Sequence, residues 1–200
     1  MKEIFAIVSA LLILAAAPPY VINTLRGKTR PERVTWLIFS VLGLIAFISQ
    51  LGLGASWSLV FSGLDTAASI LVLSLSIKHG VGGHTKLDTA ALVIAGIGVI
   101  IAIVAKAPIV SLLGVILADL SGMALTIKKT YLHPESETTV SWLLVGTASL
   151  FGLLAVGRFS YGILLYPFYL MLANYSVPLT QLFGYLLHGT KDGPKSTKQI

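Results

Sequence analysis

Two aspartates stand inside long apolar stretches, and they are the side chains of this sequence most able to do chemistry. Asp65 lies in the run 57–77 and Asp119 in the run 108–127. At 1.5 Å per helical residue, Asp65 is about 12 Å and Asp119 about 17 Å from the start of its run. A carboxylate at that depth in a bilayer must be paired, hydrated or protonated. Two carboxylates facing one cavity would hold a proton or bind a cationic or hydroxylated solute. The alternative is that each only fixes helix packing through a hydrogen bond.

A second group of polar side chains lies in the last apolar run, 160–178. Tyr166 and Tyr169 would line a cavity wall, because tyrosine offers a stacking face together with a hydroxyl. Packing against lipid or a neighbouring helix is the alternative for both. Asn174 would contact a solute or cap a break before Pro178.

The elements that position these residues follow from composition. Hydrophobic residues make up 56% of the chain and charged residues 11%, whereas a soluble domain carries roughly 25% charged residues. A helix needs about 20 residues to cross a bilayer, and lipid leaves each backbone group to be satisfied within its own helix. The sequence therefore predicts an all-α integral membrane protein with seven transmembrane helices. The apolar runs are 4–25, 34–53, 57–77, 89–105, 108–127, 140–157 and 160–178.

The basic residues predict how these helices are oriented. With seven spans, one face receives most of the 14 Lys and Arg residues, and the other receives only Lys2, Lys106 and Arg158. Loops rich in Lys and Arg stay cytoplasmic, so the amino end should be outside and the tail inside, in the plasma membrane. The net charge of +6 then reflects topology and contact with the lipid bilayer. No nucleic-acid partner is indicated.

The first run and Ala15-Ala16-Ala17 also resemble a cleaved secretory signal, but the basic cluster after the run favours a retained helix.

The residue inventory argues against catalysis. The chain has no cysteine, and its four histidines fall in connections or the tail without metal-ligand spacing. No glycine-rich turn leads into Gly-Lys-Ser/Thr, so nucleotide-driven pumping is not indicated. We therefore predict that the protein is not an enzyme and uses no metal and no cofactor.

A duplicated element organises the chain. The first copy runs from Pro19 to Leu37 and the second from Gly122 to Leu143. In each copy an apolar span enters a short basic loop with Pro-Glu, and a [Ser/Thr]-Trp-Leu opens the next span. Span 1 matches span 5 and span 2 matches span 6, which leaves span 4 unpaired. The pattern predicts two parallel three-helix bundles, related by an axis along the membrane normal, with the solute site between them. The predicted units are a first bundle at 1–83, a linker helix at 84–106, a second bundle at 107–189 and a cytoplasmic tail at 190–200.

The loops within the repeat are candidates for a cytoplasmic gate. Glu32 and Glu135, each preceded by proline, should pair with nearby Arg or Lys. Trp36 and Trp142 are expected at the headgroup level as anchors, or as part of the same gate.

Span 1 carries a candidate hinge. Pro18 and Pro19 remove backbone donors and should kink the helix, which exposes carbonyl groups and allows movement.

The segments from Pro18-Pro19-Tyr20 to Trp36, and from Ser121-Gly122 to Trp142, resemble the SWEET sugar transporters and the wider PQ-loop families. Those proteins have Pro-Gln in the first helix of each bundle, a short basic loop and a Ser-Trp-like start to the next helix. The resemblance implies two parallel three-helix bundles, a linker helix and an external amino end. Bacterial carriers of the nicotinamide-riboside type share this plan. In SWEET-like proteins an Asn on the third helix of each bundle contacts substrate, and Asp65 and Asn174 are the nearest matches here.

These observations together predict a carrier of a small polar solute, such as a sugar or a vitamin-like compound, that works by alternating access. The alternative is a membrane receptor or assembly protein with the same fold that transports nothing. The sequence leaves open whether the protein forms a homo-oligomer.

Overall fold

The computed structural model describes residues 1–52, 57–155 and 161–188, and this part of the chain is helical. It contains seven α-helices, one turn of 3₁₀ helix and no strand apart from an isolated bridge between Glu32 and Val81. The all-helical class predicted from the sequence is confirmed, with one helix for each predicted apolar run. The helices are α1 (Lys2–Leu25), α2 (Arg33–Gly52), α3 (Trp57–His79), α4 (Lys86–Val104), α5 (Pro108–Leu132), α6 (Thr139–Ala155) and α7 (Tyr161–His188), with the 3₁₀ turn at Pro134–Ser136.

Several helices have the length and surface expected of membrane helices. Three of them, α1, α4 and α5, are long and apolar enough to cross a bilayer, and shorter apolar helical segments lie at Arg33–Ile48 and Thr139–Ala155. Large apolar side chains are exposed along the outer faces of α1 and α4. A soluble monomer rarely exposes so much contiguous apolar surface. Examples are Ile4, Ile7, Leu11, Ile97 and Ile100.

Six of the helices form a closed ring. Around the ring, α1 packs on α3, α3 on α2, α2 on α5, α5 on α7, α7 on α6, and α6 back on α1. Exchanging α1, α2 and α3 for α5, α6 and α7 leaves this set of neighbours unchanged. The fourth helix lies outside the ring and packs mainly on α5, with a smaller contact to α2.

A reciprocal pair of hydrogen bonds relates the two halves of the ring. The Thr35 hydroxyl of α2 donates to the Gly122 carbonyl of α5 at 2.6 Å, and the Ser141 hydroxyl of α6 donates to the Ala16 carbonyl of α1 at 2.8 Å. Ser141 lies 106 positions after Thr35, and Gly122 lies 106 positions after Ala16. The start of α6 likewise follows the start of α2 by 106 positions, so the duplication has one register without gaps across this interface.

Close backbone contact holds α4 against α5. A Cβ atom added to Gly98 of α4 would lie 2.5 Å from the Gly114 carbonyl oxygen, and one added to Gly114 would lie 2.5 Å from the Gly98 carbonyl oxygen. Small residues allow helix backbones to approach in this way. The fourth helix therefore packs tightly on the second repeat.

Four prolines lie within continuous helices. The first helix runs through Pro18 and Pro19, and α7 runs through Pro167 and Pro178 to end at His188. The alternative that Asn174 caps a break before Pro178 is therefore wrong. The hinge at Pro18 and Pro19 stays a prediction.

Basic side chains gather where α1, α3, α5 and α7 end and where α2, α4 and α6 begin, and we call this side of the molecule the basic end. Hydrogen bonds join its segments. The Arg33 guanidinium donates to the Ser76 and Gly82 carbonyls, and the Gln181 amide donates to the Pro134 carbonyl. The described basic side chains here are Arg26, Lys28, Arg30, Arg33, Lys78, Lys86, Lys128 and Lys129.

Candidate functional site

A cavity of about 950 Å³ occupies the centre of the helix ring. All seven helices contribute to its lining. Along α5 the lining runs from Pro108 to Met123, which is about 22 Å at the rise of an α-helix. Ligand-binding sites in proteins typically enclose roughly 300–1,000 Å³, so this space could hold a small molecule.

Both aspartates singled out in the sequence line this cavity. Asp119 of α5 is only 7% exposed, and its Oδ2 accepts a hydrogen bond from the Tyr169 hydroxyl at 2.7 Å. Asp65 of α3 is exposed to the cavity and accepts no hydrogen bond from the described part of the chain. The two carboxylates come from different repeats and lie close enough for their charges to interact.

The residues predicted on α7 lie around the same carboxylates but differ in role. Tyr166 and Asn174 line the cavity, whereas Tyr169 acts from behind it by donating to Asp119. The rings of Tyr166 and Tyr169 are stacked, with centroids 6.4 Å apart. The Asn174 amide nitrogen donates to the Leu170 carbonyl at 2.8 Å, and its oxygen accepts no hydrogen bond from the described residues.

The ionisable side chains of the cavity lining are mainly acidic. Among the described residues the lining contains two carboxylates and no Lys, Arg or His. Most other lining side chains are apolar, and the hydroxyls of Ser141 and Ser149 already donate to helix carbonyls. The cavity is therefore an apolar space with a small acidic region at its centre.

Four aromatic side chains line the cavity at the end that lies nearest the basic end. The Tyr20 ring lies 5.0 Å from Trp36 and 6.3 Å from Trp142, measured between centroids, and Phe39 packs edge-on to Trp36. Trp142 is only 5% exposed. The expectation that these tryptophans anchor their helices at the headgroup level is wrong, because both indoles point into the helix ring and line the cavity.

A buried ion pair lies directly beneath this aromatic layer. Glu137 pairs with Lys129, accepts a hydrogen bond from the Trp142 indole at 2.7 Å and accepts another from the Tyr20 hydroxyl at 3.2 Å. Lys129 also donates to the Arg30 carbonyl at 2.7 Å. Groups from both repeats thus meet in one network, which we call the basic-end closure.

The glutamates proposed from the sequence as gate residues have other surroundings. Glu135 is exposed and lies 3.7 Å from the His133 ring nitrogen, so its expected pairing with Lys or Arg is wrong. With the offset of 106 positions, Pro31 corresponds to Glu137. Pro31-Glu32 and Pro134-Glu135 are therefore not equivalent positions of the two repeats, and Glu135 need not have the surroundings expected of Glu32.

Glu32 is buried but has no cationic partner in the described structure. Its Oε2 accepts from the Thr35 backbone nitrogen at 2.6 Å. Its Oε1 has no hydrogen-bond partner in the described structure and occupies the space that a Cβ atom on Gly82 would need. Burial raises the pKa of the Glu32 carboxyl above its ordinary value, although hydrogen bonds from the start of α2 oppose the shift. The expected pairing of Glu32 with Arg or Lys is therefore wrong as well.

Sequence reasoning missed three members of the basic-end closure, namely Tyr20, Lys129 and Glu137. A lysine and a glutamate eight residues apart around a short connection are a common pattern, so the signal was weak. The gapless register would have drawn attention to Glu137, because it replaces a proline of the first repeat by a charged residue.

The structure thus defines an all-α protein with membrane-length helices and an acidic, apolar-walled cavity between two repeats. No protein-family model, curated protein or solved structure matches the chain.

Proposed function

We propose that this protein is a carrier of a small polar solute in the plasma membrane. In this proposal all seven helices cross the bilayer, as two parallel three-helix bundles joined by α4. The observation that carries the proposal is the central cavity, which contains a carboxylate from each repeat.

The alternative that the aspartates only fix helix packing is disfavoured by their surroundings. A packing role requires each carboxylate to be bonded to a neighbouring helix. Asp119 has such a bond from Tyr169, but Asp65 has none from the described residues and faces open space. An unpaired carboxylate deep in a membrane protein is expensive and marks a functional path more often than a structural one.

Alternating access requires a site that opens to one side at a time. The aromatic layer and the ion pair of the basic-end closure lie between the cavity and the basic end. The aromatic layer contains groups from both repeats, whereas Lys129 and Glu137 both belong to the second repeat and contact the first through Arg30 and Tyr20. Movement of one bundle against the other would separate Tyr20 from Glu137, and Trp36 from Trp142. The form described here is therefore assigned as closed at the basic end.

The positive-inside rule places the basic end in the cytoplasm, with the amino terminus outside and the tail inside. On this assignment the basic-end closure is the cytoplasmic gate. The resemblance to SWEET and PQ-loop proteins is part of the proposal, and so is the hinge role of Pro18 and Pro19.

Uptake into liposomes tests the carrier function. Purified protein would be reconstituted and offered pooled labelled sugars, vitamins, amino acids and amines, with and without a proton gradient. Asp119→Asn should abolish the uptake shown by the wild type. Asp88→Asn is the matched control, because Asp88 accepts backbone hydrogen bonds from Gly83 and Thr85 at the start of α4, away from the cavity lining.

Loss of uptake in Asp119→Asn with retention in Asp88→Asn would support a carrier with a carboxylate at its site. If the folded wild type moves none of the pools, the carrier proposal fails and the receptor or assembly function becomes the better explanation.

A further inference from the structure

Several polar groups on the cavity wall have no hydrogen-bond partner within the described structure. Among them are the Asp65 carboxylate, the Ser69 hydroxyl, the Tyr166 hydroxyl and the side-chain oxygen of Asn174. Asn174 is only 6% exposed, so its free oxygen faces the cavity from an otherwise buried position. Because these groups border the cavity and are not bonded within the described structure, they are free to bond to a solute that enters it.

We infer that the solute is an organic cation with an apolar or aromatic body. This inference rests on the proposed carrier function and names the solute class for the same cavity. The observation behind it is the juxtaposition of two carboxylates, apolar walls and an aromatic layer.

The sign of the charge follows from the lining. Asp65 and Asp119 are its ionisable carboxylates, and no described lining residue carries positive charge. A solute anion would be repelled by both groups. A cation between them would neutralise charge that the described residues leave unbalanced, and attraction between opposite charges is much stronger in a dry cavity than in water.

The apolar side chains of the cavity wall favour a solute whose body is apolar. Alanine, valine, leucine and isoleucine side chains surround the acidic region. Of the four serine hydroxyls on the wall, those of Ser111, Ser141 and Ser149 already donate to backbone carbonyls, which leaves that of Ser69. A sugar presents hydroxyls around its whole ring, and each one buried without a partner costs about 1–3 kcal/mol. A cation with one polar end would leave few such groups unpaired.

The aromatic layer lies within reach of a bound cation. Met123 belongs to the buried cluster that contains Tyr20 and Trp142, and it follows Asp119 by one helical turn, which is about 6 Å. A solute whose charge lies between the carboxylates would therefore place its body against Trp36 and Trp142. Indole faces also attract cations directly.

Three indoles of the same shape test the charge requirement. Tryptamine carries a positive charge, tryptophol is neutral and indole-3-acetate is negative. Binding of each would be measured by equilibrium dialysis of the labelled compound against purified protein, with glucose as the neutral polar comparison. We expect tryptamine to bind at least about 10-fold more tightly than tryptophol, which corresponds to roughly 1.4 kcal/mol. Indole-3-acetate and glucose should bind more weakly still.

Single variants locate the cation. Asp65→Asn and Asp119→Asn should each reduce the preference for tryptamine over tryptophol by about 10-fold, whereas Asp88→Asn should leave it unchanged. Equal binding of tryptamine and tryptophol, tighter binding of glucose, or no binding of tryptamine to folded protein would each overturn the inference. An unchanged preference in both cavity variants would overturn it as well.

Uptake separates this inference from the proposed function. If glucose enters liposomes and tryptamine neither binds nor enters, the carrier function holds and the solute class is wrong. If tryptamine binds with the expected preference but no pool is carried across the membrane, the solute class holds and the carrier function fails.

Discussion

The ion pair in the basic-end closure is the most informative place to perturb the protein. Glu137→Gln keeps the size of the side chain and removes its charge. Lys129 would then stay buried with neutral acceptors alone, the Arg30 carbonyl and the new amide oxygen. Removing one member of a buried ion pair typically costs about 3–5 kcal/mol. The hydrogen bonds from Tyr20 and Trp142 would also lose the strength that a charged acceptor gives them.

The consequence for gating follows from where these contacts exist. The Lys129–Glu137 pair lies within the second repeat, so of the bonds that Glu137 makes only the one from Tyr20 joins the two repeats. Replacing its charged acceptor by a neutral one should cost about 1 kcal/mol, which changes the ratio of closed to open protein by roughly 5-fold. The free energy of unfolding should fall by the larger amount, about 3–5 kcal/mol, because the buried Lys129 loses its partner charge.

Cysteine labelling measures the ratio of closed to open protein. The chain has no cysteine, so Ala17→Cys introduces a single thiol into the cavity lining. A membrane-impermeant maleimide would be added to sealed vesicles from the side that bears the basic end. Adding Glu137→Gln to Ala17→Cys should accelerate labelling by about 5-fold, if the rate follows the open population.

Two controls accompany this measurement. Glu135→Gln makes the same chemical change two positions away, on an exposed side chain, and should change the unfolding free energy by no more than about 0.5 kcal/mol. Lys129→Met combined with Glu137→Gln removes the stranded charge and should recover part of the lost stability. If Glu137→Gln labels no faster than the wild-type background and unfolds at the same denaturant concentration, the closure is not held by this ion pair.

Three further predictions concern stability, measured by denaturant unfolding in detergent. Gly98→Ala forces a Cβ to within 2.5 Å of an α5 carbonyl oxygen and should destabilise the protein by about 1–3 kcal/mol. Gly96→Ala in the same helix meets nothing within 4 Å and should be neutral or stabilising by up to about 1 kcal/mol. Thr35→Val and Ser141→Ala each remove one of the reciprocal hydrogen bonds. Ser141→Ala should cost about 1 kcal/mol, and Thr35→Val about 2 kcal/mol because it also removes the acceptor of the buried Thr126 hydroxyl. Glu32 has a raised pKa in the folded protein, so its contribution to stability is greatest below its ordinary value of 4.5 and is lost as pH rises through the folded pKa. Glu32→Gln should remove this part of the pH dependence.

Each of these predictions has a clear contrary result. Equal effects of alanine at Gly98 and Gly96 would mean that α4 does not pack closely on α5. No loss in either Thr35→Val or Ser141→Ala would argue against the reciprocal contact between repeats. An unchanged stability profile between wild type and Glu32→Gln across the acidic range would mean that Glu32 has an ordinary pKa.

The helices were predictable because apolar runs of membrane length leave the backbone no other economical structure. Asp65, Asp119, Tyr166 and Asn174 could be singled out as candidates for a related reason, since polar side chains in such runs are costly and few, and all four line the cavity. The basic-end closure was not predictable in the same way. Its members lie in loops and helix ends, where charged and polar residues are common and carry little information by themselves.

The sequence alone determined the all-helical class, the number and order of the helices, and the duplication, because each of these depends on local composition and spacing. Only the tertiary structure decided the ring order of the helices, the inward direction of Trp36 and Trp142, and the pairing of Lys129 with Glu137. Those features depend on which faces of distant helices meet. Hydrophobic periodicity does not specify that choice when nearly every face of a helix is apolar.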